Sequence, residues 1–421
     1  MRFITGASKA VLYARIALHV AGRYLFRVKP KEYPRFLRRA LTLLLNFWPN
    51  KAVRIAAGYK IYIYLPAYPS AAFFRALEAK LLRTPPGPVS VVFSTTKACS
   101  YHCPHCYQRQ DAGADMPEPV LIATAQALKQ AGVSFLNIEG GEPFLRYERL
   151  LHLVRATSGA TEIWVNTTGD GVTLERLNAL KSAGLCGIMV SIHAPEAAAH
   201  DAFTGIPGAF ETACRALRLC REMDLGTAIN SVLSETDIGQ GKLDAMMALA
   251  HSLDCDFVQL IHPKPAGLWL GNPDAIQTRD QFLAALRATH LLYNSRRNRA
   301  LPVLAAQVFE ERPEGLGCTA GGVDRFYVNA AGEVQPCEFL NISFGNVTRE
   351  PFETIFARMR AAFAAPTQEW PCCTQSHRIA ELLREHNLKT TPLPSEYAAE
   401  FMAGWRRGEQ PGVYRKMGLY R

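Results

Sequence analysis

Three cysteines lie close together in the segment KACSYHCPHCYQ, residues 97–108. Cys99, Cys103 and Cys106 have the spacing C-x3-C-x2-C, and an aromatic residue, Tyr107, follows the last of them. Thiolates are metal ligands, but a structural zinc site usually takes four ligands in paired C-x2-C form, and a ferredoxin-type cluster takes four cysteines. Three cysteines would leave one iron of a cubane open, and an open metal position is a catalytic position.

The segment before these cysteines predicts a buried strand. The run VSVVFSTT, residues 89–96, is rich in β-branched and aromatic residues. The cysteines then lie on a loop at the carboxyl end of a strand, which is where active sites are built in α/β folds. His102 and His105 lie on the same loop and could complete a zinc site, so zinc stays an alternative at this point.

The chain after the cysteines alternates between apolar runs that end in polar residues and helical patterns. The predicted strands are 89–96, FLNIE before residue 140, 162–169, 187–195, 226–233 and 256–263. The predicted helices lie near 118–131, 147–157, 173–183, 208–224 and 241–253. This alternation predicts six βα units.

The cysteine spacing with its adjacent aromatic residue resembles the fingerprint of the radical S-adenosylmethionine (radical SAM) enzymes. A second motif supports the resemblance, because residues 140–143, Gly-Gly-Glu-Pro, are similar to the family's GGEP motif, which receives the methionine amino group of SAM. The resemblance covers residues 89–263 and implies a partial (β/α)6 TIM barrel. It also implies a 4Fe–4S cluster on Cys99, Cys103 and Cys106, the catalytic centre, with SAM on the fourth iron.

The resemblance implies radical chemistry at this cluster. One-electron reduction, from a flavodoxin- or ferredoxin-like donor, would cleave SAM to methionine and a 5′-deoxyadenosyl radical that takes hydrogen from a substrate. His193 is a candidate to face that substrate, although a lone histidine is more often simply hydrogen-bonded. The residues predicted to bind SAM are Tyr107, Gly140, Gly141, Glu142, Pro143, Asn166, Thr168, Ser191 and Asn230.

A second set of cysteines follows the predicted barrel. Cys318 and Cys337 have the pattern C-x13-G-x4-C, around a predicted hairpin in FYVNAAGEVQPC. This pattern resembles the start of the SPASM and twitch extensions of radical SAM enzymes and implies an auxiliary 4Fe–4S cluster. Cys372 and Cys373 are adjacent, unlike the cysteines of a full SPASM domain.

The saturation of this second cluster stays open. Four thiols could close it, as in a twitch domain, or three could hold it with an open iron and His377 as a candidate fourth ligand. Zinc on the same four thiols, or four structural thiols, are the alternatives. The other cysteines lie singly in apolar patterns and are predicted to be inert. The odd total of 11 argues against a disulfide framework and predicts a reducing, cytoplasmic compartment.

Residues 1–85 carry a strong positive charge. They hold 16 Lys and Arg but only two acids, Glu32 and Glu78. Two amphipathic helices are predicted in this region. The first has a basic face of Arg15, His19, Arg23 and Arg27 beside an apolar face of Leu12, Ile16 and Val20. The second has an apolar face of Leu37, Leu41, Leu44 and Trp48. The segment KIYIYLPAYP predicts a strand and a turn.

Three interpretations of this region compete. The first is interfacial helices on the anionic inner face of a membrane. The second is a domain that packs on the catalytic body and shows its charge to water. Nucleic-acid binding is disfavoured, since no recognised module accompanies the charge. No apolar run reaches the ~18–20 residues that span a bilayer.

The sequence therefore predicts four regions and a ranked set of functions. The regions are a basic helical region (1–85), a radical SAM partial barrel (86–300), a SPASM/twitch-like domain (301–376) and a helical tail (377–421). The leading function is hydrogen abstraction from a lipid or other hydrophobic, membrane-associated molecule. Maturation of a ribosomal peptide ranks second. A fused peptide-recognition domain would fit the length of residues 1–85, but such a domain needs a three-stranded sheet, and residues 1–58 predict helices. A non-catalytic iron–sulfur or zinc protein ranks third.

Overall fold

The computed structural model of the 421-residue chain describes residues 2–272, 280–405 and 408–420. One large sheet with helices forms its main part, so the predicted α/β fold is confirmed. A basic, mostly helical region precedes this part, and a helical region follows it. The predicted division at residues 85, 300 and 376 stays a prediction.

The first 85 residues form three helices and a small antiparallel sheet. The elements are β1 (Phe3–Ile4), α1 (Gly6–Tyr24), α2 (Tyr33–Asn46), β2 (Ala52–Ile55), β3 (Gly58–Lys60) and α3 (Ala71–Leu81). The three strands pair in the order β1-β2-β3. The prediction that residues 1–58 contain helices alone is therefore wrong. A strand of two residues carries no readable pattern, and Phe3 finds its partner Val53 only in the folded chain.

The apolar face predicted for α2 is also shifted. Leu44 is buried, but Leu41 and Trp48 are exposed. The buried side of α2 consists of Phe36, Ala40, Leu43 and Leu44, together with Phe47 just after the helix. On α1 the predicted face of Leu12, Ile16 and Val20 is buried as expected.

The predicted strand in KIYIYLPAYP is shorter than expected. Only Lys60 of that segment belongs to β3, and the chain then turns, with the Leu65 N–H donating to the Tyr62 carbonyl (3.2 Å). Ile61, Ile63 and Leu65 are buried. The alternation therefore reflects burial against the rest of the protein and not a strand.

Nine strands build the main sheet. They are β4 (Ser90–Ser94), β5 (Phe135–Glu139), β6 (Glu162–Thr167), β7 (Leu185–Ser191), β8 (Gly226–Val232), β9 (Phe257–Ile261), β10 (Val303–Ala306), β11 (Arg325–Val328) and β12 (Val334–Gln335). Their order is β10-β9-β8-β7-β6-β5-β4-β11-β12, and only β11 and β12 pair antiparallel. All six predicted strands are confirmed, and the predicted hairpin is β11–β12, which joins the edge of β4.

The helices between the strands cover the outer face of the sheet. They are α4 (Glu118–Ala131), α5 (Tyr147–Thr157), α6 (Leu174–Ala183), α7 (Ala197–Thr204), α8 (Ala209–Glu222), α9 (Glu235–Gly239), α10 (Lys242–Ser252), α11 (Asp280–Tyr293) and α12 (Gln307–Glu310). The five predicted helices are among them. Two of the five end at a glycine in the left-handed conformation, Gly132 after α4 (φ 106°) and Gly184 after α6 (φ 116°), as expected for helix C-termini.

The N-terminal sheet closes the amino-terminal end of the barrel. Phe3, Val53 and Ile55 pack against the first residues of the barrel strands, among them Phe135 and Phe257. At the same end the Lys60 ammonium contacts the Glu162 carboxylate (2.5 Å), and both side chains are almost fully buried. Part of the positive charge of residues 1–85 is therefore used inside the protein.

The C-terminal region returns to the N-terminal helices. Its helices are α13 (Phe352–Ala362), α14 (Pro371–Glu385), α15 (Ala398–Ala403) and α16 (Gly412–Met417). The Arg39 guanidinium on α2 donates to the carbonyls of Met417 (2.8 Å) and Gly418 (2.7 Å). The two ends of the chain thus pack together and leave the carboxyl ends of the barrel strands to the cysteine loops.

Candidate active site

A cavity of about 340 Å³ lies at the carboxyl ends of the main-sheet strands. Cys99, Cys103 and Cys106 line it on the loop after β4. Because the carboxyl ends of parallel strands meet at one edge of a sheet, the strand-end residues of the neighbouring strands line the same space. These residues are Glu139, Asn166, Ser191, Asn230 and Ile261.

Seven of the nine residues predicted to bind SAM line this cavity: Tyr107, Gly140, Gly141, Asn166, Thr168, Ser191 and Asn230. Glu142 and Pro143 lie behind its wall. The buried Glu142 carboxylate accepts hydrogen bonds from the N–H and hydroxyl of Thr168 (2.6 and 2.7 Å), the Thr167 hydroxyl (2.8 Å) and the Phe144 N–H (3.0 Å). In the structure this carboxylate holds the turn after β6. The expectation that the Gly-Gly-Glu-Pro segment receives the methionine amino group of SAM stays a prediction.

The two glycines of the GGEP turn permit a close approach to the chain that enters the cysteine loop. A Cβ on Gly140 would lie 2.6 Å from the Thr96 carbonyl oxygen, and one on Gly141 would lie 2.3 Å from that of Ala98. The N–H groups of Gly141 and Glu142 donate to the same two carbonyls, each at 2.7 Å. The turn and the cysteine loop are therefore held together by backbone contacts that only glycine allows.

Glu139 is the carboxylate that faces the cavity. The Tyr107 hydroxyl donates to one of its oxygens, and the Asn166 amide donates to the other (3.2 Å). Burial, together with the negative charge of Glu338, holds the pKa of the Glu139 carboxyl well above its usual range.

Several buried acceptors in the cavity wall lack a donor. The side-chain oxygens of Asn166, Asn230 and Gln108 have no hydrogen-bond partner among the described residues. A buried acceptor without a donor is costly, so such atoms indicate a place for a ligand with N–H or O–H groups. The ribose hydroxyls and the amino group of SAM are donors of this kind, and the residues present fit that molecule.

The three thiols lie on one loop at the cavity, where each could bind a different iron of a cluster. Burial raises the pKa of Cys99 to about 11 and that of Cys103 to about 12, so these thiols lose their protons only to a metal that binds the thiolate. In the described part of the chain no three His, Cys, Asp or Glu side chains converge as ligands of one ion. The thiolates of a 4Fe–4S cluster each bind a different iron and need no such convergence. The arrangement does not support the zinc alternative with His102 or His105.

Part of the cavity lining is apolar, although the Lys264 ammonium lies in the same stretch of the chain. Val232, Ile261, Ala266, Trp269 and Phe339 form this part, with His105, His193 and His262. Burial lowers the pKa of His105 to about 4 and that of His262 to about 3, and it holds the pKa of His193 well below its usual range. These imidazoles are neutral at pH 7, so this part of the lining suits an apolar part of a substrate.

The second set of cysteines surrounds a small void. Cys318, Cys337 and Cys372 line it together with Glu311, Arg325 and Trp370. Cys372 and Cys373 lie in the first turn of α14. Cys373 is half-buried and lies outside the lining of the void, and His377 is exposed on α14. The structure therefore gives no support to His377 as a ligand.

Sequence reasoning missed several residues of the main cavity. Glu139 is the last residue of β5, and its place at a strand end could have identified it. Lys264 and Trp269 lie on the loop after β9, in a segment without a recognisable motif. Phe339 lies two residues after Cys337 and reaches the cavity only because that region folds back over the barrel.

Comparison with known proteins agrees with this geometry. The family model "Radical SAM superfamily" matches residues 93–240, and the model "Iron-sulfur cluster-binding domain", SPASM, matches residues 318–375. The AdoMet-dependent heme synthase of Nitratidesulfovibrio vulgaris is 24% identical over 306 residues, which cover 66% of this chain and 81% of that protein. The PqqA peptide cyclase of Gluconobacter oxydans is 26% identical over 265 residues, 61% of this chain and 72% of that protein.

A solved structure shares the fold. SuiB of Streptococcus suis bound to precursor peptide SuiA superposes with a TM-score of 0.51 at 16% identity, over 64% of each chain. This chain therefore spans less than two thirds of the SuiB chain. The two family models coincide with the two cysteine sets that line the cavity and the void. The chain is a radical SAM enzyme with a C-terminal SPASM domain, and its cofactors are SAM, a 4Fe–4S cluster and SPASM auxiliary clusters.

Proposed function

We propose that this radical SAM enzyme binds an anionic membrane surface and takes hydrogen from a lipid or another hydrophobic molecule. Bound SAM and its cluster would supply the one-electron chemistry, and the chain would place the substrate and exclude water. We assign Cys99, Cys103 and Cys106 to the cluster that binds SAM and Cys318, Cys337 and Cys372 to an auxiliary cluster. The observation that carries the membrane proposal is the exposed apolar surface of α1 and α2.

One side of α1 is apolar and exposed. Val11, Leu18 and Leu25 are 69%, 74% and 46% exposed, and their spacing of seven residues places them on the same side of the helix. Phe26, directly after the last of these, is 93% exposed. Large apolar side chains in a row are costly in water and are typical of helices that lie in a membrane interface.

The second helix has a similar exposed row. Leu41, Leu45 and Trp48 are 50%, 53% and 40% exposed at spacings of four and three residues. Trp48 is a residue type that favours the membrane–water interface. Because of this exposed row, α2 has more apolar residues than its buried side requires.

Basic side chains remain exposed around these rows. Four lysines of this region are buried inside the protein: Lys9, Lys51, Lys60 and Lys80. Their burial agrees with the second interpretation, a domain that packs on the catalytic body. Arg15, Arg23, Arg27, Arg35 and Arg38, in contrast, are exposed on and between the two helices. Arginine beside exposed leucine, phenylalanine and tryptophan is the composition of a helix on anionic lipid.

The cavity supports a hydrophobic substrate. Aliphatic and aromatic side chains and neutral imidazoles form part of its lining, beside the single ammonium of Lys264. Among the described helices, none is long and apolar enough to cross a bilayer. The proposal is therefore peripheral binding through α1 and α2.

Cosedimentation of the full-length protein with vesicles tests the proposal. We expect binding to phosphatidylglycerol vesicles, weaker binding to phosphatidylcholine vesicles, and weakening by salt because the attraction is partly electrostatic. The variant L18E/F26E should lose most of this binding. The control is L292E, since Leu292 is a similarly exposed leucine (52%) on α11. Equal binding by L18E/F26E and the wild type would refute the proposal.

Maturation of a peptide is the second candidate function. It is favoured by the three-stranded N-terminal sheet, which the sequence analysis did not predict, and by relatives such as the PqqA peptide cyclase. However, the sheet packs into the barrel end, and the outer edge of β3 is taken by Tyr68, which exchanges two backbone hydrogen bonds with Tyr59 (2.8 and 2.9 Å). Retention of a precursor-like peptide by the full-length protein, unaffected by L18E/F26E, would reverse our ranking.

A further inference from the structure

We infer that Thr391 and Asp111 are positioning residues of the radical SAM centre, because a short segment of the C-terminal tail ties the two cysteine loops together. We call this segment, Thr391–Leu393, the C-terminal strap. The inference concerns the cluster loops and is independent of the membrane proposal. No motif in the tail sequence points to such a role.

One end of the strap pairs with the loop of the first cysteine set. The Thr391 N–H donates to the Gln110 carbonyl (3.0 Å), and the Ala112 N–H donates to the Thr391 carbonyl (2.7 Å). Gln110 lies four residues after Cys106. This pairing is a short parallel bridge, so the exit of the cysteine loop is held as part of a strand would be.

The other end of the strap pairs with the chain that follows Cys337. The Leu393 N–H donates to the Asn341 carbonyl (2.8 Å), and the Ser343 N–H donates to the Leu393 carbonyl (2.8 Å). Asn341 lies four residues after Cys337. Three consecutive residues therefore bond both cysteine regions and help to fix the distance between the two cluster sites.

A buried side-chain node fixes the first of these pairings. The Thr391 hydroxyl donates to one oxygen of the Asp111 carboxylate (2.8 Å), and the Asn329 amide donates to the other (3.1 Å). Thr391 is 1% exposed and Asp111 is 6% exposed. Asn329 follows β11, the strand that pairs with β4 just before the cysteines. The node thus joins the tail, the hairpin strand and the cysteine loop.

The cysteine loop needs such support because it has little structure of its own. No helix or strand is formed between Ser94 and Glu118, so its order comes from contacts with other segments. The backbone of the loop after β9 supplies a second link of the same kind: the Leu268 N–H donates to the Cys106 carbonyl (3.2 Å), and the Gly267 N–H donates to the Asn341 side chain (2.8 Å). Groups that hydrogen-bond directly to metal ligands typically change metal affinity or activity about 10- to 100-fold when removed, and we expect a group that holds the ligand loop to act at the low end of that range.

Three variants of the full-length protein, reconstituted anaerobically, test this inference. T391V removes the hydroxyl and keeps the size, T391S keeps the hydroxyl, and T390V changes the exposed neighbour. The readouts are SAM affinity, iron content and the electron paramagnetic resonance spectrum of the reduced protein with and without SAM. We expect T391V to bind SAM about 10-fold more weakly and to lose part of the SAM-dependent spectral change. T391S and T390V should behave as the wild type does.

The thermal unfolding midpoint separates positioning from a general loss of structure. A T391V protein that melts with the wild type but shows the altered spectrum supports the inference. If T391V does not fold, D111N decides in its place, because its amide keeps the size but replaces one of the two acceptors of the node with a donor. Wild-type SAM affinity and spectra in the folded variant would overturn the inference.

Discussion

The ammonium nitrogen of Lys264 lies 3.0 Å from the centroid of the Trp370 ring. Lys264 lines the main cavity, whereas Trp370 lines the void of the second cysteine set. Lys264 is 5% exposed, and its ammonium has no hydrogen-bond acceptor among the described residues. The pair therefore stands between the two cluster sites and holds a positive charge that the protein itself does not neutralise.

Replacing Lys264 should make the auxiliary cluster harder to reduce. A nearby positive charge stabilises the extra negative charge of the reduced state, so K264M should shift the reduction potential of that cluster to a more negative value. A redox titration followed by electron paramagnetic resonance measures this shift. K264R should keep most of the wild-type potential, as should K181M at an exposed site. An unchanged reduction potential in K264M would show that the charge of Lys264 does not act on the auxiliary cluster.

The two sets of cysteines should hold separate clusters. The wild-type protein should contain about eight irons after anaerobic reconstitution, and the Cys99/Cys103/Cys106→Ala variant about four. Iron and sulfide analysis checks both values, and C186A is the control with an expected wild-type content. About four irons in the wild type and almost none in the triple variant would contradict the assignment of Cys318, Cys337 and Cys372.

Breaking the buried pair at the amino-terminal end of the barrel should destabilise the protein strongly. Lys60 and Glu162 are 2.5 Å apart with side chains 0% and 2% exposed, so K60M leaves a buried carboxylate without its partner. The expected loss in the free energy of unfolding is about 3–5 kcal/mol. Denaturant unfolding measures it. K242M is the matched control, because Lys242 pairs with Asp237 (2.6 Å) on the surface and its loss should cost less than about 1 kcal/mol.

Glu310 should make the stability of the protein depend on pH. Burial raises the pKa of its carboxyl to about 8. The groups that face it are Asn50, Glu311, Arg312, Tyr13 and Tyr62. Between about pH 4.5 and pH 8 the unfolded chain ionises while the folded chain keeps the proton, so this contribution to stability is full at the acidic end and is lost as the pH rises.

We therefore expect the unfolding midpoint of E310Q to vary less with pH than that of the wild type across this range. Thermal unfolding at a series of pH values measures the difference. E314Q, at an exposed position four residues along the chain, should keep the wild-type dependence. Parallel pH profiles for the wild type and E310Q would show that the carboxyl is ionised in the folded protein.

Much of the fold and the centre of the site could be predicted from local patterns. The spacing of Cys99, Cys103 and Cys106, the strand before them and the alternation of strands with helices all depend on neighbours in sequence. The strand-end residues could also be placed, because the carboxyl ends of parallel strands meet at one edge. Asn166, Ser191 and Asn230 accordingly line the cavity.

Predictions were wrong or incomplete where one pattern suits two environments. Glu139 ends β5 and Glu142 follows it by three residues in FLNIEGGEP, and only the packing of the turn decides that Glu139 faces the cavity while Glu142 bonds Thr167 and Thr168. On α2, leucines occur on both the buried and the exposed side, so periodicity did not identify the buried one.

The sequence by itself determined the chemistry of this protein, since three thiols at a fixed spacing on a loop after a buried strand are a local feature. Tertiary structure alone decided what surrounds them. Phe3 pairs with Val53, Lys60 meets Glu162, and Thr391 bonds Asp111, and each partner is far away along the chain. Such contacts depend on how whole elements pack, because a buried hydrogen bond or ion pair forms only when the fold brings both groups out of water together.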